Sequence, residues 1–399
     1  LHGDDLTPDS ILTAIVAHLD GGADASSLRG AAFAEVDPDL HAAALRVFGS
    51  WEATLAALVV LLHRLGESDR RRKAADAGAE EAAVLIDDAV PTRVVTNDAR
   101  QPLFVVTNAG AVHLLGLEQL AMTHGAFADL PAGPTGAAIR RVFAGGADTL
   151  ATIVTSEGNA VTIDRRLLPA WSRDVDETPI SSRIRTLDAD EQAQGAFRTR
   201  MFRDAARIYT VSTGGQLKAT DSDEYRKLGS DPLCALLLRD DDELASLFSG
   251  PSDAGIFVAS SAGYAIAFDS SEVRSQGRKA TGVRAIQLEG DARVVGAFAT
   301  ASTTWMALVT AGGMAKRMRT VEFRPQGRGG LGLQSCRLGA NDTVASVTPV
   351  STDGDLLVFT ASGRYARLPA YDLVYAARGA RGEAFAELGS NDRIVTAVG

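Results

Sequence analysis

The chain has 399 residues, 46% hydrophobic and 23% charged, with a net charge of −10. That length exceeds one ordinary core, so at least two domains are expected, and the composition excludes wholesale disorder. The absence of any run of 18 apolar residues argues against a helical membrane span, and the two cysteines, Cys234 and Cys336, argue against a disulfide framework and for a reducing cytoplasm.

The opening LHGDDLTPD is acidic and lacks an apolar core, so it is not read as a secretory signal. Thr7 and Pro8 then supply an N-cap and a first-turn proline for a helix through Ile11, Leu12, Ile15, Val16 and Leu19, ended by Gly21 and Gly22. A shorter helix is predicted around Ser26–Phe33 and a third from Asp37 and Pro38 through Leu40, Ala44, Leu45 and Val47. Gly49 ends that helix and Ser50 caps a fourth, which runs to about Leu65. Residues 1–66 are therefore expected to form a helical domain, followed by a charged linker at 67–83 that holds the basic run Arg70–Lys73. Residues Ile11–Leu58, with their FGSW turn at Phe48–Trp51, resemble the helix–turn–helix-like repeat associated with homing endonucleases. The resemblance implies DNA binding; with only Arg29 and Arg46 as cations in the trio, a dimerisation or docking bundle fits the same residues.

From residue 84 to the end the chain repeats a hairpin pattern: an apolar β-rich run, a small-residue turn ending in Gly, then a second β-rich run. The turn glycines are Gly110, Gly158, Gly215, Gly263, Gly313 and Gly363, at intervals of 48, 57, 48, 50 and 50. Arg278, Arg328 and Arg378 keep the same register, as do Gly282, Gly332 and Gly382. Six β units of this period, with no helical signal between them, predict a closed ring of blades, because one unit cannot bury its apolar face alone and closure removes exposed edges. The long interval between Gly158 and Gly215 predicts a protruding insertion near Asp174–Pro179. The fold class expected is thus mainly β, a six-bladed pinwheel over 84–399, preceded by a small all-α domain.

Charge is unevenly placed. Residues 1–83 hold 7 basic and 14 acidic side chains, whereas Arg274–Arg337 hold 11 basic residues against Glu289, Asp291 and Glu322. Local potential rather than the sum decides whether a phosphate backbone is attracted. Lys316, Arg317 and Arg319 lie on one short strand after a turn, so alternation should place at least one of them on the solvent side. Lys218, Arg364 and Arg367 occupy the corresponding strand in repeats 3 and 6. Arg274, Arg278, Lys279, Arg284, Arg324, Arg328, Arg378 and Arg381 populate the segments that follow. As single residues these are ordinary surface charges; as a set recurring around a ring they make a curved positive track.

The words GYAIAFDSSEVRSQGRKATGVRAIQL and GMAKRMRTVEFRPQGRGGLGLQSCRL, in repeats 4 and 5, resemble the C-terminal β-pinwheel of the DNA gyrase A and topoisomerase IV family over about residues 84–399, most clearly in the last three repeats. That resemblance implies six blades whose basic rim binds and bends double-stranded DNA without sequence preference. Gln326–Gly332, QGRGGLG, matches the family's wrapping box, usually QRRGGKG, at five of seven positions. Gly327 and Leu331 replace its two extra cations. Gln326, Arg328, Gly329 and Gly330 are the box residues expected to approach phosphate, the glycines through backbone N–H groups.

Catalytic signatures are missing. All six tyrosines, Tyr209 to Tyr375, fall within the repeats, so no strand-cleaving tyrosine beside a basic helix is recognised, and no phosphate-binding G-x-x-x-x-G-K-[ST] loop occurs. His18, His41 and His63 lack metal-ligand spacing, and the acidic run Asp240–Glu243 reads as a solvated turn. No cofactor or metal is expected. The sequence points to a non-catalytic, nucleoid-associated DNA-binding protein; rival readings are a propeller that docks a partner such as a topoisomerase, or an accessory part of a type II topoisomerase.

Overall fold

The computed structural model describes residues 40–42 and 102–399, apart from 124, 147, 240–241, 301–303, 352–353 and 390. The chain divides into two compact units, Leu1–Asp87 and Asp88–Gly399. Of the first, residues 40–42 are helical. The other expected helices, the FGSW turn, the linker and the Arg70–Lys73 run lie outside the described residues.

The second unit is a ring of six β blades. Each begins with a hairpin whose turn glycine has a positive φ, from 74° to 88° over Gly110, Gly158, Gly215, Gly263, Gly313 and Gly363. Blade 5 shows the plan: Trp305–Thr310 pairs with Met314–Arg319 across the turn at Gly313, and Val344–Val350 pairs on the other side of the first strand. The strands corresponding to Val344–Val350 touch one another from blade to blade and line the ring axis.

The outermost strand of blades 2 to 6 comes from the next repeat around the ring. Leu233–Cys234 completes blade 2, Val283–Arg284 blade 3, Leu333–Gln334 blade 4 and Glu383–Ala384 blade 5. Ala128–Asp129, from the first repeat, pairs with Arg364 and Tyr365 of the last and closes the ring. Blade 1 has three strands, Val112–Gly116, Pro102–Thr107 and Ile139–Ala144. Where its fourth would lie, Pro179 precedes a four-residue helix at Ile180–Arg183, whose first N–H reaches Gly110 O. Proline has no N–H for a ladder at that place.

Burial follows this exchange. Six apolar clusters fill the six spaces between consecutive blades; Phe257, Met306, Leu308, Met318 and Phe323, for example, pack between blades 4 and 5. Each blade is apolar on both faces and so needs two neighbours, which is what a closed ring provides.

The expected insertion at Asp174–Pro179 is corrected. Ile180 follows Gly158 by 22 residues, as Ala285 follows Gly263 and Ser335 follows Gly313, and all three N–H groups bond the turn glycine of the preceding blade. The extra length lies further on. Ala193 follows Ile180 by 13 residues where Val294 follows Ala285 by nine, and Arg207 follows Ala193 by 14 where Trp305 follows Val294 by 11. The first excess includes Ile180–Arg183 and the second a helix at Met201–Asp204, so the expectation of no helix within the ring also gives way to two single-turn helices. Both tuck inward: Ile180 and Phe202 are fully buried. Buried Glu191 anchors the first of these excesses by accepting bonds from Thr155 and from Asp188 N–H.

Candidate nucleic-acid interface

After the hairpin of each repeat the chain makes a short 3-10 turn and crosses to the outer edge of the preceding blade. The crossing at 273–282 carries Arg274, Arg278 and Lys279; that at 323–332 carries Arg324 and Arg328; that at 373–382 carries Arg378 and Arg381. Their recurring arginines clasp one blade to the next. Arg278 Nη1 donates to Cys234 O at 3.1 Å, Arg328 Nη1 to Arg284 O at 3.2 Å and Arg378 Nη1 to Gln334 O at 3.5 Å, in each case at the outer strand of the blade before. A glutamate of the 3-10 turn completes the clasp. Glu224 lies 3.6 Å from Arg278 Nε, while Glu272 and Glu322 accept from the backbone N–H of Arg328 and Arg378, each at 2.9 Å.

This geometry corrects the expected role of the glycine-rich box. Gly329 N–H is bonded to Ala285 O at 2.7 Å, Gly330 O accepts from Gln287 N–H, and Gln326 N–H donates to Ala267 O. The Gln326 and Gly329 N–H groups are thus tied into the blade connection and are not free to meet phosphate, while Gly330 enters the connection through its carbonyl. Gly332 is required by contact as well as conformation: with φ at 84°, a Cβ there would lie 2.3 Å from Ala265 O. Gly282 and Gly382 face Leu217 O and Ala315 O in the same way, which explains their shared register.

Three cations expected on the rim lie inside. Lys218 and Lys316 stand three residues after their turn glycines, a register held by His113, Val161, Ile266 and Ala366 in the other blades and buried in all six. Lys316 has no exposed surface, and its Nζ donates to Ala377 O, Arg378 O and Ala380 O at 2.8–2.9 Å. Lys218 Nζ donates to Ala235 O at 2.7 Å and to Arg278 O. Burial pushes both ammonium groups down to about 8, so each is still charged at neutral pH. Arg367 forms a buried ion pair with Asp355 at 2.7 Å and donates to Leu117 O and Leu120 O, and Arg364 donates to Phe127 O beside Asp129. These two arginines latch the last repeat to the first. Strand alternation had located the cations correctly along the chain but not the face on which a neighbouring blade would close.

Arg274, Lys279, Arg284, Arg319, Arg324 and Arg381 are exposed, together with Arg293 and Arg337, which the sequence reading had not selected. Arg284 stands on an outer strand, where the corresponding residues are Cys234, Gln334, Ala384 and, at the closure, Asp129. From Arg274 to Arg337 these exposed cations meet few carboxylates, only Glu289, Asp291 and Glu322 in the sequence, whereas exposed cations of the preceding repeats such as Arg166, Arg200 and Arg226 pair with Asp164, Asp204 and Asp223. Nearby, Arg317 and Arg319 place their guanidinium carbons 5.1 and 5.5 Å from the Trp305 ring centre, and Tyr375 meets that ring edge-on.

One group was not singled out from the sequence. His113 is fully buried, 3.6 Å from Glu177. Burial and then the nearby Arg183 charge hold the imidazole below its usual range, while burial raises the Glu177 carboxyl. A lone histidine on an apolar strand gives no sequence signal for this pairing. Among the described residues no three His, Cys, Asp or Glu side chains gather as a metal site, and no helix is long and apolar enough to cross a membrane.

Against known proteins, residues 206–250, 256–301, 304–351 and 354–398, which are blades 3 to 6, match the family model described as the DNA gyrase C-terminal domain, beta-propeller. The A subunit of DNA gyrase from Klebsiella oxytoca is 32% identical over 126 residues, covering 31% of this chain and 14% of that protein. The A subunit of DNA topoisomerase 4 from Bacillus subtilis is 32% identical over 111 residues, covering 28% and 14%. The match therefore spans about one seventh of each relative. In structure, a DNA gyrase A C-terminal domain superposes with a TM-score of 0.64 at 19% identity, covering 75% of this chain and 99% of that one. The C-terminal domain of a DNA topoisomerase IV gives 0.56 at 21%, covering 75% and 92%.

Proposed function

We propose, from the match of blades 3 to 6 to the family model described as the DNA gyrase C-terminal domain, beta-propeller, that the chain is a non-catalytic protein that binds and bends double-stranded DNA. The observation that carries the proposal is that the exposed cations Arg274, Lys279, Arg284, Arg319, Arg324 and Arg337 on blades 3 to 5 lie in a stretch with only Glu289, Asp291 and Glu322 as acids, within an otherwise acidic chain. Cations at the outer strand and on the crossing beside it follow the curve of the ring, and a duplex laid on them is held through its phosphates without sequence preference. Such a protein acts in DNA topology, in the nucleoid of the cytoplasm and beside a topoisomerase.

The test is a gel-shift titration of the whole chain against linear duplexes of unrelated sequence at two salt concentrations. Equal affinity for the sequences and a steep loss with salt are expected. No binding even at low salt would favour the rival in which the ring docks a protein partner, a reading supported by the net charge and by box arginines already engaged in clasps.

Bending over part of the circumference, not full wrapping, is expected. Tight bending costs several kcal/mol, up to about 10 by elastic estimates, which contacts must offset. Here the box lacks two cations, and its remaining arginine is held by Glu272 and Arg284 carbonyls. Relaxing a plasmid with a type I topoisomerase in the presence of the protein should therefore leave little linking-number change per bound molecule. The double variant Gly327→Arg, Leu331→Lys should raise it. Gly327 is exposed, outside the positive-φ set, and a Cβ there meets nothing within 4 Å, so the added side chain can be accommodated.

A further inference from the structure

The aromatic cluster between blades 5 and 6 is left unexplained by duplex binding. Trp305 opens the first strand of blade 5 and pairs directly with Arg319, so the two side chains share a face with Arg317, two residues away. Tyr375 approaches from the crossing of blade 6, its ring centre 5.8 Å from that of Trp305 and 51% of its surface exposed. Tyr371, on the preceding 3-10 turn, is 55% exposed, and Val321, on the turn after Arg319, is 59% exposed.

The other blades show what this register normally holds. At the place of Trp305 stand Leu150, Arg207, Gly255 and Asp355, and at the place of Tyr375 stand Ala170, Lys227, Ser275 and Pro325. In blades 3 and 6 the same corner is closed by an Arg–Asp pair, Arg207 with Asp221 at 3.4 Å and Arg367 with Asp355 at 2.7 Å. In blade 5 tryptophan stands where blade 6 has its aspartate. Arg317 and Arg319 make no salt bridge among the described residues and lie over a ring, with Asp372 the carboxylate whose charge reaches Arg317, and Arg317 Nε has no hydrogen-bond partner. The corner is therefore cationic, aromatic and open.

We infer that this corner is a stacking site for an unpaired base of single-stranded DNA. A duplex offers phosphates but no base faces, so exposed rings add nothing to its binding. An unpaired strand offers both, and rings beside arginines are the combination that holds it. The Tyr375 ring supplies the exposed stacking surface, Trp305 and Arg317 fix its place, and Arg319 and Arg324 are the exposed cations for the flanking phosphates. The site goes beyond the duplex rim, whose cations it adjoins.

The experiment measures the affinity of the full chain for oligo(dT) and for a duplex of equal length, together with tryptophan fluorescence. Trp305 is the reporter in a chain carrying Trp51→Phe, since the third tryptophan, Trp171, is buried and donates to Pro131 O. Oligo(dT) should quench the fluorescence. Tyr375→Ala should weaken oligo(dT) binding by about tenfold while leaving duplex affinity within about twofold, and Tyr375→Phe should restore it. Because Tyr375 is half exposed, the alanine variant keeps the fold, which its unfolding temperature verifies. Dependence of oligo(dT) binding on Tyr375 supports the site whether or not the duplex binds. Unchanged oligo(dT) binding by Tyr375→Ala overturns it, as does an equal loss on duplex, or quenching by an acidic peptide where oligo(dT) gives none.

Discussion

Reversing three rim charges together, Arg274→Glu, Arg284→Glu and Arg324→Glu, should abolish the duplex gel shift at physiological salt and leave the unfolding temperature nearly unchanged. All three side chains are exposed, and none makes a salt bridge among the described residues. Each lost phosphate contact removes about one unit of the salt slope, and each glutamate adds repulsion, so a loss of about a thousandfold or more is expected for the set. Folding is insensitive to such changes because exposed charges are screened and contribute little. Arg166→Glu is the control: it is equally exposed but sits on blade 2 beside Asp164, and it should leave affinity within about twofold. A full gel shift by the triple variant would move the interface off blades 3 to 5.

The choice of those three residues shows where sequence reading succeeded and where it stopped. The hairpins were legible because a turn at φ near 80° selects glycine, and six such glycines keep a countable interval. Ring closure followed from the repeat count. The exchanged outer strand did not, since two residues such as Val283–Arg284 carry no periodic signal. The interval between Gly158 and Gly215 reported total length only, so it could not show that the excess splits between Ile180–Ala193 and the turn at Met201–Asp204. For the interface, the basic stretch from Arg274 to Arg337 was visible as composition, but composition does not separate a cation facing solvent from one facing the next blade. Arg278, Arg328 and Arg378 repeat because each must reach a carbonyl of the preceding outer strand. Their regularity is that of a fold contact. Of the residues that remain exposed, Arg274 and Arg324 share a register in two repeats that Val374 breaks in the third, and Arg284 and Arg337 have no basic counterpart in the neighbouring repeats.

Lys316 makes the same distinction measurable. Replacing it with methionine should destabilise the protein by about 3 kcal/mol, because three carbonyls of the 377–380 turn lose their donor, and each orphaned buried acceptor costs roughly 1–3 kcal/mol before the returned desolvation of the ammonium is subtracted. Arg319→Met, three residues along the same strand but exposed, should cost under about 0.5 kcal/mol. The pH dependence supplies a second check. Burial lowers the folded-state value of Lys316 to about 8 from 10.5, so between those limits the unfolded chain binds more protons than the folded one. Wild-type stability from this residue therefore rises as pH increases through that range, and its advantage over Lys316→Met should widen from pH 8 to pH 10. Tyr225, pushed up to about 12 by burial, works in the opposite sense above pH 10, but it is present in both proteins and cancels in the difference. Urea unfolding of the two proteins at pH 7, 8, 9 and 10 measures the gap directly. A methionine variant as stable as wild type, with the loss of DNA binding expected of a rim cation, would return Lys316 to the surface and overturn its assignment to the joint between blades 5 and 6.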